Sequence, residues 1–356
     1  MKRKIRVLIV DDSNFMRKML TDMIISDPDC ELIYAAKDGL EALKAIKQLK
    51  PDVVTMDIEL PEIDGITCVA YIMREFPTPV IVITGFSQYM GEETILAMQY
   101  GAVDFIKKPN GCSDSQNMEE MGKELLSKIR LASKVDVRKL KLVVMPEEKK
   151  RGESLKMVKP EKTIGISPTN RVVALAGSSG GPRAFSLIIP QLPADISAGV
   201  LVVQHMPAEF IPAFASRLDS QSALRVKVAE DGEPVCQGKV LIAPADYYTT
   251  VESERIRLTP AKEECWCLSM ADKLITSIAP AYGRNAVAGV LTGMGADGTE
   301  GLRAIKAYGG HTLAEAESTA MVFGMPKSAI KANVVDKVVP LDKMAKEIVR
   351  RVRGGM

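Results

Sequence analysis

The sequence predicts an α/β protein of two domains, each built on an open, doubly wound, mostly parallel sheet. Three observations carry that expectation. Short β-branched runs alternate with helical patterns along most of the chain, the sign of βαβ units with helices on both sheet faces. At 356 residues the chain is too long for one ordinary core. A charged stretch containing proline interrupts the alternation once, at 134–168. The expected partition is a domain over 1–125, a linker over 126–168 and a second domain over 169–356.

In the first domain IRVLIV leads into a helix through FMRKMLTDMII, and ELIYAA into a helix around LEALKAIKQL. DVVTMD, PVIVIT and DFIKKP then bring the count to five strands, a (βα)5 pattern. Residues 134–168, dense in Lys, Glu and Pro and with little periodicity beyond KLKLVV, read as a solvated, semi-flexible tether. The second series runs VVALAGS, a helix after GGPRAF, GVLVVQH, a helix through EFIPAFASRL, and strands around VKVAE and KVLIAP. A helix near MADKLITSIAP, the strand AVAGVLTG and a last pair of helices complete it. Short strands between Val226 and Leu258, with turn signals such as EDGEP, predict an inserted β-ribbon.

Composition narrows the functional classes. Charged residues make up 26% and apolar ones 46%, and a formal charge of +2 gives no reason to expect a nucleic-acid partner. No helix-turn-helix with a basic recognition helix is visible. Six scattered cysteines without CxxC spacing, and only two histidines, argue against a zinc site or disulfide framework; the Cys265-Trp266-Cys267 pair reads as packing. The apolar run at the N-terminus is too short for a signal sequence, and no stretch is long enough to span a membrane, so the expectation is a cytoplasmic protein with no membrane insertion.

In such sheets reactive groups gather beyond the carboxyl ends of the strands. Asp11 and Asp12 close the first strand of the chain and Asp57 the third, which brings three carboxylates to one edge. Hard oxygen ligands there suit Mg²⁺. Taken singly, the same residues are also helix-starting and turn residues. Thr84 and Lys108, at two further strand ends, add a hydroxyl and an ammonium, and the set can hold a phosphoryl group transferred to an aspartate. VDDS, MDIELPEIDG, the Thr84 strand and IKKP resemble the response-regulator receiver domain, a flavodoxin-like (βα)5 fold, over residues 1 to 125. The resemblance implies Asp57 as phosphoacceptor, and Asp12, Asp57 and the Glu59 carbonyl as metal ligands, with Asp11 acting through water. It also implies Phe105 as the switch aromatic. Phe86, in TGFS, departs from the small residue commoner there.

In the second domain the turn ALAGSSGGP lacks the spacing of a dinucleotide fingerprint and the lysine of a Walker A loop, so a nucleophilic serine competes with a generic phosphate site. A serine needs a base, and His205 closes the strand GVLVVQ at the reactive edge, whereas His311 begins a strand at the opposite end. Asp297 in LTGMGADG can fix the imidazole tautomer or simply cap the helix that follows, and the Met294 N–H can face an oxyanion. The order Ser, His, Asp and the absence of GxSxG exclude an α/β-hydrolase.

AGSSGGP, VVQHMP, LTGMGADG and AESTAMVFGMP resemble the catalytic domain of the chemotaxis protein-glutamate methylesterase family over 170–350. Where that family commonly has GASTGGP, this chain exchanges Ala176 and Gly177 and places Ser179 for threonine. The resemblance implies Ser178 as nucleophile, Ser179 as a hydroxyl that orients His205, and Asp297 as the acid. It implies hydrolysis of glutamate γ-methyl esters on the cytoplasmic helices of chemoreceptors, with possible deamidation of glutamines, no cofactor in the catalytic domain, Mg²⁺ in the receiver, and a chemotaxis histidine kinase as phosphodonor. Two other classes stay open on the residues alone: a regulator whose second domain only binds a partner, and a receiver fused to a DNA-contacting output.

Overall fold

Strand ends decide where chemistry can occur in this chain, and the topology of each sheet decides which ends meet. A computed structural model describes residues 3–85, 88–109, 115–140, 167–261 and 269–354. They fall into two units, 1–149 and 150–356.

The first unit runs β1 (Ile5–Val10), α1 (Asn14–Ile25), β2 (Cys30–Ala36), α2 (Gly39–Leu49), β3 (Val53–Asp57), α3 (Gly65–Glu75), β4 (Val80–Thr84), α4 (Gln88–Gln99), β5 (Asp104–Lys107) and α5 (Ser115–Ala132). The sheet is parallel throughout, in the order β2-β1-β3-β4-β5. β3 and β4 are buried on both faces, as helices on each side of a parallel sheet require. Ser13, Asp38 and Asp64 each accept a first-turn N–H of the helix they precede, so side chains start three of the helices within a few residues of a strand end. The boundary expected at residue 125 falls inside α5, and a 3₁₀ turn at Val137–Lys139 follows within the expected linker. Residues 141–166 of that linker lie outside the described residues, as do Phe86 and the Cys265-Trp266-Cys267 stretch.

The second unit runs β6 (Val172–Gly177), α6 (Gly181–Ile188), β7 (Gly199–Gln204), α7 (Ile211–Gln221), β8 (Arg225–Val228), β9 (Lys239–Ile242), β10 (Tyr247–Glu252), β11 (Arg255–Pro260) and α8 (Met270–Tyr282). β12 (Ala286–Val290), α9 (Thr299–Ala307), β13 (His311–Glu315), α10 (Met325–Lys331), β14 (Lys337–Val339) and α11 (Leu341–Val352) follow. Seven parallel strands form one sheet, ordered β14-β13-β12-β6-β7-β9-β8. From β6 the chain first builds outward through β7, then returns to add β12, β13 and β14 on the other side, which makes the β6–β12 seam a topological switch point. Leu274, Ile275 and Ile278 of α8, Leu302 and Ile305 of α9 and Val251 and Ile256 of the β10–β11 hairpin join one sheet face in a single apolar core.

The β-ribbon expected between Val226 and Leu258 is corrected in part. β8 and β9 belong to the main sheet, β8 at its edge and β9 between β7 and β8, paired parallel across the EDGEP loop, and only β10 and β11 form an antiparallel ribbon. Turn residues mark where the chain reverses and say nothing of its partner; the apolar run of β9, buried from Val240 to Ile242, selects the sheet. The end of the chain likewise holds three helices separated by two strands rather than one helix pair. Among the described residues no helix is long and apolar enough to cross a membrane.

Candidate functional site

The two units each gather polar side chains at the carboxyl edge of their sheet. In the first, Asp11 follows β1 and Asp57 ends β3, and both are buried, whereas Asp12 is exposed. Oxygen atoms of Asp11, Asp12 and Asp57 lie within 4.8 Å of one another, a donor set that fits a hard divalent cation such as Mg²⁺. Lys108 Nζ stands 2.6 Å from Asp57 Oδ2 and 3.1 Å from Asp11 Oδ2. Burial pushes the Asp57 carboxyl up to about 6 against the attraction of Lys108. Burial alone would lower the Lys108 ammonium, but Asp57 and Asp11 outweigh it and hold the group above its ordinary value.

The Glu59 N–H reaches Asp57 Oδ1 at 3.4 Å in the turn after β3. Thr84 ends the neighbouring β4, where its hydroxyl donates to Gly85 O at 3.1 Å and accepts from Thr94 Oγ1 at 3.1 Å, so it is engaged by its own turn and α4. Phe105 is buried in β5 with the Lys128 ammonium 5.6 Å from its ring centre. The structure thus joins Asp11, Asp12, Asp57 and Lys108 directly and sets Thr84 and Phe105 on adjoining strands.

In the second unit the sheet register pairs Gly177 with Gln204, so Ser178 and His205 each begin the turn beyond adjacent strand ends, and the His205 N–H donates to Gly177 O at 3.0 Å. Gly180 holds φ at +77°, the left-handed backbone that reverses the chain into α6. Across the switch point the turn after β12 closes on the same spot. The Ser178 N–H donates to Thr292 O at 3.0 Å, and a Cβ on Gly293 would stand 2.7 Å from Ser178 Cβ, a fit only glycine allows. Among the described residues Ser178 gives only backbone groups to hydrogen bonds.

Asp297 Oδ2 lies 2.8 Å from His205 Nε2. With Nε2 engaged, the nitrogen left to receive a serine proton is Nδ1. The same carboxylate accepts N–H groups of Ala271, Asp272 and Gly298, each at 2.9 Å. Burial would raise it, yet the His205 bond and these amides hold it below its ordinary value. Asp297 therefore anchors itself on the N-terminus of α8, where helix amides favour negative charge, while Asp272 accepts the Gly301 N–H in the first turn of α9 at 2.8 Å. The two acids cap each other's helices. Met294 is 55% exposed, and among the described residues its N–H makes no hydrogen bond, so it is available to a ligand. Ser179 sits in the same turn, with its carbonyl bonded by Thr292 Oγ1 at 2.8 Å. His311 begins β13 at the far end of the sheet, lowered by burial and then by Arg351, and takes no part in this cluster.

Sequence reasoning missed Gln204 and Thr292. Gln204 is 2% exposed, and its Nε2 donates to both Ser178 O and His205 O at 2.9 Å, tying the two turns together. A polar residue closing an otherwise apolar strand next to His205 was the available signal.

An acidic edge with a lysine on one parallel sheet, and a His205–Asp297 pair beside the Ser178 turn at the switch point of a second, are the arrangement of a response regulator joined to a hydrolase-class domain. Residues 7–121 match the response regulator receiver domain and residues 173–348 the CheB methylesterase family. The chain belongs to the CheB methylesterase family in its receiver-linked form. It is 44% identical to the protein-glutamate methylesterase/protein-glutamine glutaminase of Pyrococcus abyssi, covering 99% of this chain and 96% of that one. Proteins of the same description from Methanosarcina barkeri and Thermotoga maritima are each 42% identical, covering 97% and 98% of this chain and 98% and 99% of theirs.

Proposed function

We propose that this chain is a cytoplasmic protein-glutamate methylesterase of a chemotaxis system, acting through a serine acyl-enzyme and controlled by phosphorylation of its receiver. One observation carries the reading: His205 Nε2 stands 2.8 Å from Asp297 Oδ2 directly across the switch point from the Ser178 turn. Ser178 Oγ attacks the ester carbonyl of a receptor glutamate γ-methyl ester while His205 Nδ1 takes its proton. The Met294 N–H donates to the oxyanion, and one such donor contributes about 3 kcal/mol. His205 returns the proton to the departing methanol, and Asp297 holds the imidazolium meanwhile. Water, deprotonated by the same ring nitrogen, then cleaves the acyl-enzyme to glutamate and frees Ser178. Ser179 supplies the neighbouring hydroxyl that steadies the ring. Ammonia in place of methanol gives the glutaminase reaction carried in the relatives' names.

The substrate is the cytoplasmic helical region of a chemoreceptor, and the phosphodonor a chemotaxis histidine kinase. Asp57 attacks the phosphorus of the kinase phosphohistidine, breaking the P–N bond. Asp11, Asp12, Asp57 and the Glu59 carbonyl would hold Mg²⁺, which offsets phosphoryl charge; Lys108 adds to that neutralisation and Thr84 donates to a phosphoryl oxygen. Phe105 adjusts as Thr84 is drawn toward the phosphoryl group. The phosphorylated receiver favours an open arrangement of the catalytic edge, the differential free energy coming from the new charge at Asp57.

Methanol released from methyl-labelled receptor membranes tests the enzyme reading; no release by wild type rejects it. A small-molecule phosphodonor with Mg²⁺ should raise the rate, and Asp57→Ala should keep the basal rate while losing the rise. Equal activation in that variant rejects the regulatory part. Gln204→Ala takes the side-chain donor from His205 O and leaves Ser178 O with the Gly181 N–H alone, so we expect a stability loss of about 1–3 kcal/mol by denaturant titration. Its initial rate should fall about tenfold or more as the two turns loosen.

A further inference from the structure

One buried acid at the catalytic edge has no part in that chemistry. Glu315, the last residue of β13, is completely buried, and its Oε2 accepts the Thr292 N–H at 2.9 Å. Thr292 is in turn the residue on which the serine turn rests. Its carbonyl accepts the Ser178 N–H at 3.0 Å, its Oγ1 donates to Ser179 O at 2.8 Å, and the same Oγ1 accepts the Val322 N–H at 2.9 Å. Arg183, buried in the first turn of α6, adds its positive charge to the surroundings of the same carboxylate.

We propose that Glu315 is a positioning residue for the nucleophile, holding the Thr292 peptide so that Ser178 and Ser179 keep their place beside His205. The proposal rests on the reading of Ser178 as the attacking residue. A carboxylate in such a place is costly to bury. An isosteric amide would offer the Thr292 N–H a neutral acceptor, and only the ionised acid makes that bond charge-assisted, shorter and stiffer.

The groups facing Glu315 are Thr292 from the turn after β12, Thr319 from the segment after β13, and Arg183 from α6. Burial pushes its carboxyl up to about 7, against the Thr292 N–H, the Thr319 hydroxyl and the Arg183 charge. The bond to Thr292 therefore changes character within the neutral range: neutral acceptor below it, charged acceptor above.

Full-length wild type, Glu315→Gln, Glu315→Ala, Thr292→Val and Thr292→Ser are compared by methanol release across neutral pH. Both wild type and Glu315→Gln retain His205 and Asp297, so the ratio of their kcat profiles isolates Glu315. Wild-type kcat should rise relative to Glu315→Gln as pH passes about 7. Glu315→Ala should lose about tenfold to a hundredfold in kcat with KM within about twofold, because the serine is misplaced and the docking surface is not. Thr292→Val should lose at least about tenfold, with Thr292→Ser recovering most of it by restoring the hydroxyl. Superimposable profiles for wild type and Glu315→Gln, or a folded Glu315→Ala with wild-type kcat, overturn the proposal. Should Glu315→Ala fail to fold by circular dichroism, the profile ratio and the Thr292 pair decide. Failure of the underlying reading looks different: Ser178→Ala would then retain activity whatever the Glu315 variants do.

Discussion

Ser178→Ala should reduce methanol release by about four to six orders of magnitude while leaving the fold and receptor binding intact. The side chain makes no hydrogen bond among the described residues, and its backbone bonds to Thr292, Gly181 and Gln204 survive the change, so nothing structural is lost with the hydroxyl. A thermal melt coincident with wild type, beside an abolished rate, is the expected pair of results. Ser179→Ala provides the contrast, since in the proposed mechanism its hydroxyl only assists the ring; a loss within about tenfold is expected. Reversal of the two effects would move the nucleophile to Ser179.

Asp297→Asn should cost about two to four orders of magnitude in kcat. The amide keeps the volume but puts an N–H₂ group at one of the two oxygen positions, facing His205 and the Ala271 N–H at one, or the Asp272 and Gly298 N–H groups at the other. With the nitrogen in the first position the Ala271 N–H loses its acceptor, and the N–H₂ meets His205 Nε2 as a donor and forces the ring proton onto Nδ1, the atom that in the proposed mechanism accepts from Ser178. Asp297→Ala should in addition lower stability, because the first-turn amides of α8 lose their acceptor, by about 1–2 kcal/mol on chemical denaturation. A variant with full kcat would show that Asp297 serves only as a cap.

The positions proposed as reactive were legible as places in the fold, because strand ends are. Asp57, Ser178, His205 and Asp297 each follow an apolar β-branched run, and a parallel sheet must bring such ends to one edge. The neighbouring of the β6 and β7 ends also followed from sequential placement, here realised as the Gly177–Gln204 register. What sequence withheld was pairing at a distance. β8 and β9 carry ribbon-like turn signals yet join the sheet, because burial of the Val240–Ile242 run of β9 outweighs the local turn. Asp297 looks in sequence like the cap of the helix immediately after it, and the helix it mainly serves begins 25–27 residues earlier. Gln204, Thr292 and Glu315 resemble ordinary polar residues at strand ends; their importance lies in the hydrogen bonds they close across the switch point, which no local pattern encodes. The ring nitrogen presented to Asp297 is equally a matter of tertiary placement.

The β6–β12 seam has a mechanical meaning. Ser178 and His205 stand on one side of it, stitched to each other by Gln204, and Asp297 stands on the other, fastened to the first amides of α8 and to the Gly298 N–H before α9. A small shear along the seam would thus part Asp297 from His205 while Ser178 and His205 stayed together, and under the proposed mechanism turnover becomes a far more sensitive gauge of sheet integrity than any spectroscopic measure of secondary structure.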